Sequence, residues 1–185
     1  MKILAIEREV AGKHTAEASP LLFADATVTM RCGATRFTAR NGGAINNEPD
    51  IAYPYLFAYF PGEEYRTRGI VRNIMKQQFG TGASGLPGND DAGAISAWFA
   101  FSALGFYPAC PASGEYRLGV PLFKRAVITL NPASHPGGEF VISTNGKGQE
   151  TGKLSVELNN QQHDPVSLSH RDIVGGGELR FIAGN

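Results

Sequence analysis

Two short stretches hold the residues whose types and spacing could do chemistry. "GNDDAG", residues 88–93, sets Asn89, Asp90 and Asp91 directly before an apolar run that reads as a helix. A helix N-terminus presents unpaired N–H groups and the positive end of the dipole, so a carboxylate placed there stays ionised. Such a group suits a general base, which must take a proton from water, and makes a poor general acid. Capping is the competing use: Asn89 or Asp90 as the N-cap of a helix over 92–104 stabilises it by about 1 kcal/mol. Three polar groups in a row exceed what one cap requires. "NEP", residues 47–49, places Asn47 and Glu48 just ahead of Tyr53, Tyr55, Phe57, Tyr59 and Phe60. An acid among rings suits contact with a sugar or a metal ion, the rings stacking on a pyranose. A solvated loop acid is the plainer reading.

Other chemistries fit poorly. "GTGASG", residues 80–85, satisfies G-x-G-x-x-G, but a dinucleotide site needs a strand just before it and an acid about 20 residues on. Here a helical pattern precedes it, position 105 is Gly, and no Lys-Ser/Thr pair makes a phosphate loop. His14, His135, His163 and His170 lack metal-ligand spacing, and His170 reads as part of a loop before the last strand. Cys32 and Cys110 form no metal motif and read as two unpaired thiols.

The elements that must position these residues are legible in part. "TVTMRCGATRFTAR" alternates as one or two strands would. Pro54 and Pro61 bracket at most a short helix. "EEYRTRGIVRNIMKQQFG" is an amphipathic helix with Val71, Ile74, Met75 and Phe79 on one stripe, Glu63 and Glu64 in its first turn and Gly80 as its stop. "AISAWFAFSAL" is apolar almost all round, as a helix buried on every side would be, so Trp98 and its neighbours read as core; Gly105 ends it. Beyond Tyr116 the period becomes two. Residues 126–130, 139–144, 154–158 and 178–183 read as strands at a spacing that suggests a β-sandwich.

Composition sets outer bounds. The 185 residues are 42% hydrophobic, enough for a packed core in one ordinary domain or two small ones. Seventeen basic and 17 acidic side chains cancel, which argues against a nucleic-acid partner. No apolar run reaches the roughly 18 residues of a membrane span. The opening "MKILAIEREVAGKH" is too soon interrupted by charge for a signal-peptide core.

Three stretches together, "NEPDIAYPYLFAYF", "GLPGNDDAGAISAWFAFSALGFYPACPASGEYRLGVPLF" and "SHRDIVGGGEL", resemble glycoside hydrolase family 92, the calcium-dependent exo-α-mannosidases. The likeness runs over about residues 46–183. It implies an α+β chain: a C-terminal fragment of an (α/α)6 catalytic barrel over 46–119, then a β-sandwich-like, β-rich segment over 120–185, with 1–45 unassigned. It also implies inverting hydrolysis of terminal α-linked mannose, α-1,2 first among linkages, by one carboxyl that protonates the leaving oxygen and another that activates water. Carried over residue by residue, Asp91 is the base and Asn89 holds the water or the base. Asp90 turns away or caps the helix. Glu48, with Asn47, lies in the sugar and calcium subsite, Glu48 touching the metal. Calcium is the implied cofactor and a mannose-containing glycan the partner. The family's general acid belongs to an upstream glutamate-containing segment that this sequence does not match, and a full barrel needs many more helices than it offers. The missing upstream part of the enzyme is therefore a further expected partner. Family members are exported, whereas no export signal is legible here, so the compartment stays open. A non-catalytic carbohydrate-binding or structural remnant is the alternative function.

Overall fold

A computed structural model describes residues 45–135, 137–145 and 153–183, and the backbone alone of Ala5–Val10 (β1), Ala26–Cys32 (β2), Thr35–Ala39 (β3) and Pro49. Strands β1, β2 and β3 form an antiparallel sheet in that order, so the alternation over 27–40 does correspond to a strand pair. His14 and the side chain of Cys32 lie outside the described residues; Cys110 is a free thiol.

The helical part follows its apolar spacing. Helix α1, Glu64–Gln78, buries Val71, Ile74 and Met75 on one stripe, with Phe79 half-buried beyond it. It ends at Gln78, with the extended Phe79 (φ −108°, ψ 142°) as its C-cap and Gly80 next, where a stop glycine stands. Between Pro54 and Pro61 the chain makes only a 3-10 helix, Tyr53–Tyr59, in keeping with proline's missing N–H and fixed φ. Helix α2, Ala94–Leu104, stops at Gly105, whose left-handed backbone (φ 94°) only glycine adopts without cost. A Cβ there would also lie 2.8 Å from the nitrogen of Pro121. The expectation that α2 is buried on every side is corrected. Ile95, Trp98, Ser102 and Ala103 face the core, while Ser96, Ala97 and Ala100 are exposed. Phe99, Phe101 and Leu104 are half-buried against the core, so the helix is covered over part of its circumference and open at Ser96, Ala97 and Ala100.

The rest is β structure. Strands β4 (Phe106–Cys110), β5 (Glu115–Leu118) and β10 (Ser167–Ser169) pair antiparallel in the order β10-β5-β4. Strands β6 (Arg125–Thr129), β7 (Glu139–Thr144), β8 (Leu154–Leu158), β9 (Gln161–His163) and β11 (Gly177–Ala183) form a five-stranded sheet in the order β6-β7-β11-β8-β9. Its pairings are antiparallel except β7 with β11, which runs parallel with Leu179 opposite Ile142. His170 opens a short helix, α3 (His170–Val174), rather than lying in a loop. Ser169 accepts from the Asp172 amide while the Asp172 carboxylate accepts from the Ser169 amide, a reciprocal cap that nucleates the turn.

Two apolar clusters result. Phe140, Ile142, Val156, Leu179 and Phe181 of the larger sheet close on Phe106, Leu118 and Leu168 of the smaller one. Each such full burial contributes roughly 1.5–3 kcal/mol. The second cluster joins Ile45, Tyr55, Val71, Ile74, Trp98 and Tyr107. Because successive strand residues point to opposite faces, β4 sends Phe106 into the first cluster and Tyr107 into the second. That strand ties the helices to the sheets.

Candidate functional site

The segment that carries "NEP" is anchored from below. Ile45 is fully buried and its N–H donates to Gln78 Oε1 at 3.3 Å, which pins the segment to the end of α1. After α1 the glycine-rich loop folds on itself: the Gly80 amide donates to the Gly85 carbonyl at 2.9 Å, and the Gly85 amide to Gly82 at 3.1 Å. A Cβ on Gly85 would meet the Gly80 oxygen at 2.3 Å, so these glycines serve a tight turn between helices. Helix α1, not a strand, comes immediately before them, which removes the structural context of a dinucleotide site.

From that turn the chain runs back onto "NEP". Gly88 lies so close to Asn46 that a Cβ on it would meet the Asn46 carbonyl oxygen at 2.3 Å and Cα at 2.7 Å. The next amide, that of Asn89, donates to the same carbonyl at 3.4 Å. Asn46 and residues 88–89, far apart in sequence, are thus in direct contact, which joins the segment of Asn47 and Glu48 to the loop of Asp90 and Asp91.

The two aspartates then separate in role. Residues 91–93 form a 3-10 turn in which Ala92 (φ 52°) and Gly93 (φ 76°) are both left-handed, and Gly93 is the backbone N-cap of α2. The side chain that serves the helix comes from further back. Asp90 accepts from the Ser96 amide at 2.8 Å and from the Ser96 hydroxyl at 2.5 Å. The hydroxyl first, then the amide, holds the Asp90 carboxyl below its ordinary value. Asp91 and Asn89 are exposed, and no side-chain partner engages the Asp91 carboxylate among the described residues. So Asp90 caps the helix, as one of the two sequence readings has it, and Asp91 is left for solvent or substrate.

Glu48 opens a 3-10 turn, Glu48–Asp50, closed by the Asp50 amide on the Asn47 carbonyl at 3.0 Å. The Glu48 side chain is half-buried, and its Oε1 is shut from solvent with no hydrogen-bond partner among the described residues. An orphaned buried carboxylate oxygen costs free energy until a cation or a donor meets it. Asn47 is exposed. Burial raises the Asp50 carboxyl above its ordinary value, and burial together with Asp50 raises the Tyr53 phenol. Trp98 is core, as its apolar context predicts. It is fully buried, stacks on Phe79 at 5.9 Å between centroids, and donates from Nε1 to the Ile51 carbonyl at 2.8 Å. That bond fastens the turn bearing Glu48 to α2.

The donor set bears on metal binding. Among the described residues no three His, Cys, Asp or Glu side chains come together to hold an ion. Calcium takes six to eight oxygens, backbone and amide carbonyls included. The orphaned Glu48 Oε1 fits one such ligand, and the Asn47 amide oxygen beside it is of the right kind. Asn46, Gly88 and Ser96 are the site residues that sequence reasoning missed. Only Ser96 carried a signal, as a hydroxyl in the first turn of α2. A cavity of about 390 Å³ lined by Glu64, Tyr65, Arg68, Lys153, Leu154, Pro165 and Val166 includes none of the candidate residues. Among the described residues no helix is long and apolar enough to cross a membrane.

A family model described as the glycosyl hydrolase family 92 catalytic domain matches residues 21–185. A family GH92 α-mannosidase from Bacteroides thetaiotaomicron, solved in complex with mannoimidazole, superposes with a TM-score of 0.68 at 28% identity, over 78% of this chain and 19% of that one. A GH92 inverting mannosidase from the same organism gives 0.65 at 34% identity, over 76% and 18%. A protein described as an uncharacterized secreted glycosidase, from Arthroderma benhamiae, is 23% identical over 164 residues, 85% of this chain and 21% of its own length. The chain therefore spans about a fifth of the length of these relatives. With a family model matched over most of its residues and a mixed α and β architecture shared with solved members, the chain belongs to glycosyl hydrolase family 92.

Proposed function

We propose that this chain carries the water-activating half of an exo-α-mannosidase site, which hydrolyses terminal α-linked mannose from glycans, α-1,2 linkages first, with inversion. The observation that carries the reading is the contact of Asn46 with Gly88 and Asn89, which joins the segment of Asn47 and Glu48 to the loop of Asp91, an exposed aspartate with no side-chain partner among the described residues. On this reading the helices are the end of an (α/α)6 barrel and the sheets after residue 120 a β-sandwich-like segment. The description of the Arthroderma relative as secreted supports an exported protein.

In this mechanism Asp91 accepts a proton from water as the water oxygen bonds to the anomeric carbon. The glycosidic bond breaks, and the departing oxygen takes its proton from a general acid supplied by an upstream segment of the enzyme. Asn89 holds the water or the base in line. Asp90, occupied by Ser96, ties the loop to the start of α2. Glu48 and Asn47 hold sugar hydroxyls and would hold calcium, which when bound polarises and orients those hydroxyls.

A second reading is a carbohydrate-binding remnant without turnover, in which Glu48 and Asn47 hold the sugar and no general acid completes the site. An activated aryl α-mannoside separates the two, because its good leaving group needs little protonation. Turnover with calcium that gives β-mannose first, by NMR of the fresh product, supports the hydrolase. Mannose binding without turnover supports the remnant, and neither binding nor turnover contradicts both.

A further inference from the structure

We infer that Gly88 is a positioning residue: by lacking a Cβ it lets the loop that carries Asn89 and Asp91 rest directly on the backbone of Asn46, and so fixes that loop against Asn47 and Glu48. The inference rests on the proposed function for its consequence and on geometry for its substance. Gly88 has no left-handed φ, so glycine is not needed there for backbone conformation. What it avoids is contact. An added Cβ would sit 2.3 Å from the Asn46 oxygen, 2.7 Å from its Cα and 2.8 Å from its Cβ, closer than real Cβ atoms come. Two of those three atoms are backbone and cannot swing aside, so either residues 46–48 or residues 88–91 must move.

Residues 46–48 resist moving on one side, because Ile45 is buried and bonded to Gln78 and Trp98 holds Ile51. The Gly88 loop resists on the other, because Asp90 is bonded twice to Ser96. A methyl group at 88 therefore wedges the two functional segments apart at their joint. Gly80, in the same loop, is the matched control: its added Cβ would meet only the Gly85 Cα, at 4.0 Å.

The test compares the isotope-labelled parent chain with its Gly88→Ala and Gly80→Ala variants. Gly88→Ala is expected to fold, to displace the Asn47 and Glu48 amide resonances, and to weaken mannose binding in calcium roughly ten-fold or more, since a site loosened by about 1 Å loses much of its function. Gly80→Ala is expected to leave those resonances and the affinity unchanged. Resonances that stay in place in Gly88→Ala, or that move while mannose affinity holds, overturn the inference. If the parent chain binds no mannose, the proposed function fails, and the resonances alone still decide whether Gly88 sets the position of Glu48. If Gly88→Ala does not fold, amide exchange in the parent decides: a protected Asn89 amide supports the joint, and one that exchanges as fast as exposed Gly82 overturns it.

Discussion

Ser96 donates twice to Asp90, from its amide at 2.8 Å and its hydroxyl at 2.5 Å, so the first of two adjacent aspartates is taken up by the start of α2 and the second is not. The pair has a pH signature. Asp90 is held below its ordinary value in the fold, so it contributes stability above the unfolded value of about 3.9 and loses that contribution as pH falls through the lower folded value. Asp90→Asn is therefore expected to lower the urea midpoint at pH 7, and its deficit relative to the parent to shrink at pH 3. An equal deficit at both pH values would mean that the carboxylate charge is not what Ser96 holds.

Glu48 predicts the opposite balance of stability and binding. Its Oε1 is buried with no hydrogen-bond partner among the described residues, so that oxygen adds nothing to the unliganded fold. Glu48→Gln is expected to melt no lower than the parent without calcium. With calcium in excess the parent melts higher, by the ordinary linkage of ligand to fold, and the variant does not. A calcium effect that survives Glu48→Gln removes Glu48 from the metal subsite.

Trp98 connects the site to the core. Its ring is fully buried, and its Nε1 proton is given to Ile51, three residues past Glu48. Trp98→Ala is expected to cost about 3–5 kcal/mol. Trp98→Phe costs less but strands the Ile51 carbonyl, so its amide resonances near Glu48 are expected to shift although the fold holds. Unmoved resonances would show that the indole bond does not place the Glu48 turn.

Tyr55 and Ser102 form a buried polar pair, the phenol donating to the Ser102 hydroxyl at 2.9 Å in the midst of apolar neighbours. Burial keeps the phenol protonated far above the ordinary tyrosine range. Tyr55→Phe leaves the Ser102 hydroxyl without this donor and is expected to cost about 1–3 kcal/mol. Tyr55→Phe with Ser102→Ala is expected to cost less than the sum of the two single changes, measured by denaturant melts in a double-mutant cycle. Additive losses would mean that the pair is not coupled.

How much of this was legible in the sequence depended on how local the cause was. The α1 stripe, the Gly105 stop and the strands at 139–144 and 154–158 follow from periodicity and turn residues alone. Strand β4 carries Pro108, a residue rare within strands, yet β4 is an edge of its sheet, where a missing N–H is tolerated. Helix α3 was missed although Ser169 and Asp172 stand at capping-box spacing. The parallel pairing of β7 with β11 and the contact of Gly88 with Asn46 are tertiary, and no spacing encodes them. The site was legible as two separate motifs, and the fold supplied their meeting.

The most direct measurement of the central claim removes the base and offers a nucleophile that needs none. With an aryl α-mannoside as substrate, Asp91→Ala is expected to lower turnover by roughly 10²–10⁴, the usual contribution of a general base. Added azide should restore it and yield β-mannosyl azide, while Asp90→Ala should show no azide rescue. An Asp91→Ala chain that turns over like its parent, or an azide product formed at Asp90→Ala instead, would contradict Asp91 as the group that activates water.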